Sequence, residues 1–223
     1  FIATLNKPKP KTLPMMEVIV THFKPFFLGI LICIAGYVLF YIMIAFSQIY
    51  AKSAPTVSEA GYAMGLGFSP QIFTALLMCS AISLAITIAI SGKYIDIVGR
   101  RIWLIWTTFG VAIFGLALPY FLDNGTTTSL FWFLMIGMGL IGMGYGPLAS
   151  FLPELFPTHA RYSGASLTYN ISGLFGASVA AIIALPLNAN YGLKSVGIYL
   201  TLNAVLSLIG LWFITETKDK HLA

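Results

Sequence analysis

Apolar residues in this 223-residue chain fall into long blocks rather than alternating with polar ones. Six stretches carry no charged residue: 25–50, 70–91, 102–122, 129–152, 162–187 and 195–214. A helix needs roughly 20 apolar residues to cross the hydrocarbon core of a bilayer, so the pattern predicts six membrane-spanning helices. They are framed by a polar tail at 1–24 and a short tail at 215–223. The fold class expected is an all-α membrane protein. The block at 162–187 is the least apolar, being rich in small and polar residues, and its place between charged loops identifies it as a span.

Composition agrees with this reading. Apolar residues make up 58% of the chain and charged residues 9%, whereas a water-soluble domain carries about 25% charged residues. The net charge of +5 sits in short segments between the blocks, which points to the positive-inside rule and not to a nucleic-acid partner. Lys7, Lys9, Lys11, Lys24, Lys93, Arg100, Arg101, Arg161, Lys218 and Lys220 fall on one side, and only Lys52 and Lys194 on the other. This bias predicts a multi-pass protein of the cell (plasma or inner) membrane with both termini cytoplasmic. Cys33 and Cys79 lie in apolar blocks without disulfide or zinc spacing, so neither a metal nor a cofactor is expected. The chain opens on Phe1 in a stretch that reads like the middle of a loop, as a fragment of something longer would.

Two junctions carry candidate chemistry. The first runs Gly92, Lys93, Tyr94, Ile95, Asp96, Ile97, Val98, Gly99, Arg100, Arg101. Its glycines would let helix ends approach closely, Asp96 would accept hydrogen bonds at a helix N-terminus, and Arg100 would pair with a carboxylate of a neighbouring span. The second runs from Phe151 through Pro153, Glu154, Pro157, His159 and Arg161 to Leu167.

The first junction resembles the cytoplasmic signature loop of the major facilitator superfamily. The second closely resembles the loop between helices ten and eleven in that superfamily's metabolite:proton symporter group, which includes proline/betaine, shikimate and dicarboxylate permeases. Pro14, Glu17, Val18 and His22 resemble that group's central-loop helix. The resemblance implies that the six spans are helices seven to twelve, the C-terminal half of a twelve-helix fold built as two inverted three-helix repeats. The partners it implies are an N-terminal six-helix half, a small-molecule substrate and protons, in addition to the bilayer.

No Asp, Glu, Lys, Arg or His lies inside any of the six blocks, so a proton-coupling carboxylate is expected in the other half. Tyr37, Tyr41, Ile44 and Gln48 share a narrow arc of a helix advancing about 100° per residue. The resemblance turns that arc toward the central cavity, making Tyr37, Tyr41 and Gln48 substrate candidates. Tyr145 and Asn170 join them, the latter on a seam with Ser163, Ser166, Gly173 and Ala177 that reads mainly as helix packing. Gly137, Gly139, Gly142, Gly144 and Gly146, followed by Pro147, read as close packing of the fourth span. Gly92, Asp96, Gly99, Arg100, Arg101, Glu154 and Arg161 are the candidates for a cytoplasmic gate. His22, His159 and His221 read as solvated or capping residues.

The function expected is proton-coupled symport of an organic acid or zwitterionic osmolyte by alternating access. A stand-alone six-helix channel would require pore-lining charges or a filter loop. An intramembrane enzyme would require a nucleophile, base or metal constellation in the bilayer. Neither pattern is visible, and no enzymatic activity is expected.

Overall fold

The computed structural model describes residues 14–216. Lys7, Lys9, Lys11, Lys218, Lys220 and His221 lie outside the described residues. A short helix α1 (Pro14–Thr21) precedes six long ones: α2 (Phe23–Lys52), α3 (Pro70–Val98), α4 (Arg100–Asp123), α5 (Thr127–Glu154), α6 (Arg161–Tyr191) and α7 (Leu193–Phe213). All six are long and apolar enough to cross a membrane. No strand forms among the described residues; an isolated bridge between Val57 and Ala63 closes the 53–69 connection.

Most helices run past the apolar blocks that predict them. The polar 1–24 stretch contains α1, and the 92–101 junction is largely helical, because α3 continues through Lys93 and Asp96 to Val98. Hydropathy marks where the hydrocarbon ends, while backbone hydrogen bonding carries the helix on into the headgroup layer, where a charge costs little. The break comes at Gly99, whose φ of +102° disfavours any side chain. Ser69 caps α3, accepting from the Ile72 amide, and Thr126 caps α5, accepting from the Ser129 amide.

The packing has an internal symmetry. Helix α2 packs on α6 and α7, α5 packs on α3 and α4, and α4 and α7 pack on each other. Exchanging α2, α3, α4 for α5, α6, α7 maps this set of contacts onto itself. Three spans per repeat is an odd number, so the second repeat enters the membrane from the opposite face: these are the inverted repeats. The middle helix of each repeat is the least buried, with 11% of its apolar window buried in α3 and 22% in α6, against 61% in α2.

Small residues make the close contacts. A Cβ on Gly142 of α5 would come 2.5 Å from the Leu84 carbonyl oxygen of α3, and Gly139 and Gly146 face Ser83 and Ser91 of the same helix. Gly137 of α5 faces Met43 of α2 instead, and Gly144 has only Thr107 at ordinary contact distance. On α4, a Cβ on Gly115 would meet Thr201 Oγ1 at 2.5 Å and the Gly197 carbonyl at 2.8 Å on α7. Without a hydrophobic drive between helices in lipid, this backbone-to-backbone approach supplies the attraction.

Helix α6 packs through a seam different from the one its sequence suggests. Gly164, Thr168, Ser172, Gly176, Ala180, Ala184 and Asn188 are buried, one every fourth residue, whereas Asn170 is exposed. An i,i+4 stripe drifts around an ideal helix by about 40° per step. A π turn at Leu174–Ser178 takes up part of that drift, keeping the stripe facing its neighbours. A second π turn interrupts α2 at Ile42–Phe46.

One polar contact fixes α2 against α7. Ser207 Oγ donates to the Leu31 carbonyl at 2.6 Å and accepts from the Ala35 amide at 3.1 Å, inserting a hydroxyl between the two partners of an i→i−4 hydrogen bond.

Candidate functional site

Side-chain contacts place both candidate junctions at one end of the bundle. Arg100, at the start of α4, reaches Asp96 at 3.5 Å and also pairs with Glu154 at the end of α5. Glu17 of α1 lies 2.7 Å from His159 in the α5–α6 turn. Glu216, just past α7, accepts from the Arg100 amide at 3.2 Å and the Arg101 amide at 3.0 Å. Lys52 and Lys194 occupy helix ends at the opposite end of the bundle.

The carboxylate that caps a helix N-terminus here is therefore Glu216, and Asp96 instead points outward with its side chain 71% exposed. Helix α4 begins with two arginines and no acid in its first turn, so its free amides need an acceptor from elsewhere. Gly99 is where that acceptor fits, since a Cβ there would lie 2.9 Å from Glu216 Oε2. Gly92 faces open space and mediates no close approach. Arg101 turns the other way and caps α7, with Nε donating to the Leu211 carbonyl at 2.8 Å and Nη2 to the Trp212 carbonyl at 3.1 Å.

A cleft of about 620 Å³ opens between the α5 and α6 ends nearest this cluster, and a smaller space of about 100 Å³ continues from it toward α2. Tyr145, Leu148 and Tyr169 line both. The Tyr145 and Tyr169 hydroxyls are 2.6 Å apart, and the Tyr37 ring tilts against that of Tyr169 at a centroid distance of 5.0 Å. Glycines leave room for Tyr37 there: a Cβ on Gly176 would meet its Cβ at 2.6 Å, and one on Gly173 would lie 3.2 Å from its ring. Three helices thus bring phenol groups to one place in a largely apolar wall.

Arg161 opens α6 and lines the larger cleft together with Thr158 and Ser166. Its Nε is buried without a hydrogen-bond partner, and it forms no ion pair among the described residues. It stands apart from the Asp96–Arg100–Glu154 cluster.

The other sequence candidates are placed differently. Tyr41 donates from its hydroxyl to the Ala181 carbonyl of α6 at 3.4 Å, a helix–helix contact. Gln48 lies beyond the π turn of α2, which rotates the remainder of that helix by roughly one residue's 100°; the arc it shares with Tyr37 in an ideal helix is broken, and Gln48 is exposed. Asn170 spends its amide on the Ser166 carbonyl of its own helix at 2.8 Å. Two residues escaped the sequence reading. Tyr169 could have been found as the position about two turns beyond Arg161 on one broad face, with Ala165 between them. Glu216 could have been found from the missing acid at the start of α4.

A model of the sugar (and other) transporter family matches residues 63–223. A protein of Haemophilus influenzae named for metabolite transport is 88% identical over the full chain, which covers 50% of that protein. The inner membrane metabolite transport protein YhjE of Escherichia coli is 37% identical over 96% of this chain and 47% of its own length. The glycine betaine/proline/ectoine/pipecolic acid transporter OusA of Dickeya dadantii is 27% identical over 92% of this chain and 39% of its own. No solved structure matches. The chain belongs to the sugar (and other) transporter family, within the major facilitator superfamily that its two junctions resemble. It spans about half the length of the curated relatives it matches.

Proposed function

We propose that this chain is the C-terminal half of a secondary active transporter that moves a small carboxylate-bearing metabolite, an organic acid or a zwitterionic osmolyte, by alternating access. The observation that carries this reading is Arg161: a guanidinium that lines the 620 Å³ cleft beside the Tyr145–Tyr169 pair and pairs with no carboxylate among the described residues. A guanidinium presents paired donors that match a carboxylate. Phenol hydroxyls can complete the hydrogen bonding, and the apolar wall around them strengthens it. The relative named for betaine, proline and ectoine transport fits a substrate of this class.

The end of the bundle that holds Arg100, Arg101 and Arg161 is the cytoplasmic one in this reading, in a cell or inner membrane. Transport is proton-coupled symport, with the coupling carboxylate in the partner half, because the apolar stretches of these spans hold no acid. Helices α3 and α6, the least buried, face that half. Asp96, Arg100 and Glu154 form a cytoplasmic latch that favours the outward-facing state.

The test is uptake by the complete transporter carrying Arg161→Gln. The substrate KM should rise at least about tenfold, the loss of a charge-assisted hydrogen bond of about 1.5–3 kcal/mol, while an amide analogue of the substrate is affected little. Equal KM values for the carboxylate in both proteins would remove Arg161 from the site.

A further inference from the structure

Outside the cleft, three potential metal ligands converge at the Lys- and Arg-rich end of the bundle. Glu17 lies on α1, His22 at the junction of α1 with α2, and His159 in the turn between α5 and α6. His159 Nε2 is 2.7 Å from Glu17 Oε1. The rings of His22 and His159 are 6.4 Å apart and tilted by 59°. One ligand atom from each of the three residues lies within 4.8 Å of the others.

This convergence is held from below. Val18, next to Glu17, is fully buried, and Ala160, next to His159, is fully buried too. Both belong to one apolar cluster with Phe26 and Phe156. Helical hydrogen bonding continues across the junction, with the His22 amide donating to the Val18 carbonyl and the Phe26 amide to the His22 carbonyl, each at 3.1 Å. The two backbones that present the ligands are fixed by packing that does not involve the ligands themselves.

We propose that Glu17, His22 and His159 form a binding site for a divalent transition-metal cation of the zinc type, which clips α1 to the α5–α6 turn. Two imidazoles and one carboxylate are a donor set that zinc accepts, with water completing the tetrahedron. Imidazole ligands select zinc, nickel or copper over magnesium and calcium. Metal–ligand bonds of about 2.0–2.2 Å require the outer ligand atoms to draw inward. The His159 side chain, 62% exposed, is free to swing for this. Glu17 supplies negative charge to the cation and orients the nearest imidazole in its absence. The clipped turn lies between Glu154 of the charge cluster and Arg161 of the cleft, so the cation would restrain both.

The experiment is a titration of the tag-free full chain in lipid nanodiscs with zinc chloride, read by equilibrium dialysis and by zinc-edge X-ray absorption. One zinc per chain should bind, with nitrogen and oxygen neighbours and the imidazole scattering pattern. His159→Ala, His22→Ala and Glu17→Gln should each lower the affinity at least about tenfold, as even outer partners of a ligand do when removed. Glu59→Gln, on the exposed 53–69 connection, should bind as the wild type does. Far-UV circular dichroism of each variant separates lost ligation from lost folding, because the proposal requires helicity to be retained. Absence of stoichiometric zinc in the wild type, a sulfur-rich coordination shell, or equal affinity in His159→Ala would each overturn the proposal.

Discussion

The hydroxyl of Tyr145 on α5 lies 2.6 Å from that of Tyr169 on α6, a side-chain hydrogen bond that joins those helices in the cleft wall. Both positions share a cleft with Arg161, so the pair is poised to give up its mutual hydrogen bond to a ligand.

Tyr169→Phe and Tyr145→Phe should each weaken substrate binding by about 1–3 kcal/mol, on the order of fivefold to a hundredfold, the cost of one polar contact in a partly desolvated site. Thermal stability should change little, since the rings remain. Ligand binding to the purified complete transporter checks this. Unchanged affinity in both variants would make the pair a packing device.

Within the charge cluster, the two acids should not be equivalent. The Glu154 side chain is 13% exposed and that of Asp96 71%. An exposed pair contributes about 0–1 kcal/mol, whereas losing Glu154 leaves the half-buried Arg100 guanidinium with only its distant partner. Glu154→Gln should therefore slow transport more than Asp96→Asn, with substrate affinity retained. A bias of about 1.4 kcal/mol between two near-equal states is already tenfold in their ratio. Normal transport by the Asp96→Asn, Glu154→Gln double variant would leave Arg100 and Arg101 as anchors to anionic lipid.

Glycines of similar appearance should respond with opposite sign. Gly142→Ala drives a Cβ to 2.5 Å from the Leu84 carbonyl; backbone cannot yield as a side chain can, and the expected loss is about 1–3 kcal/mol. Gly36→Ala enters open space on a helix and should stabilise by about 0.4–1 kcal/mol. Thermal unfolding of both in one detergent decides the matter. A Gly142→Ala protein as stable as the parent would mean that α3 and α5 pack less closely than described.

Single cysteines placed at positions 96 and 194, in a background without Cys33 and Cys79, should label from opposite faces of the membrane, with position 96 cytoplasmic. Labelling of both from one face would end the six-span topology.

The spans were legible in the sequence because the bilayer imposes a length and a polarity on each of them, and Gly-Arg-Arg and Pro-Glu-Leu-Phe-Pro marked the two junctions that meet through Arg100 and Glu154. What was not legible depended on register. Projection at a constant angle per residue placed Gln48 beside Tyr37 and gave α6 a seam through Asn170. A π turn at Ile42–Phe46 breaks the projection of α2, and nothing in those residues announces it; in α6 the buried face runs through Gly164, Thr168 and Ser172 before the π turn at Leu174–Ser178 is reached, so there the choice of face was at fault and not the angle. Contacts between remote segments were equally hidden. His22 and His159 look solvated when read singly, and they meet Glu17 only once Val18 and Ala160 are buried.

The hydroxyls of α3 have a consequence for how the protein is made. Ser80 donates to the Leu77 carbonyl, Thr87 to those of Ser83 and Leu84, and Ser91 to that of Ile88. These hydroxyls are therefore satisfied within their own helix before any partner arrives. A newly synthesised α3 can leave the translocation channel and wait in lipid as a solitary helix, although its partner α5 emerges two spans later. When the glycine face of α5 does arrive, Ser83 adds a hydroxyl bond across the contact, donating to the Met135 carbonyl at 3.0 Å, and assembly can follow the order of synthesis.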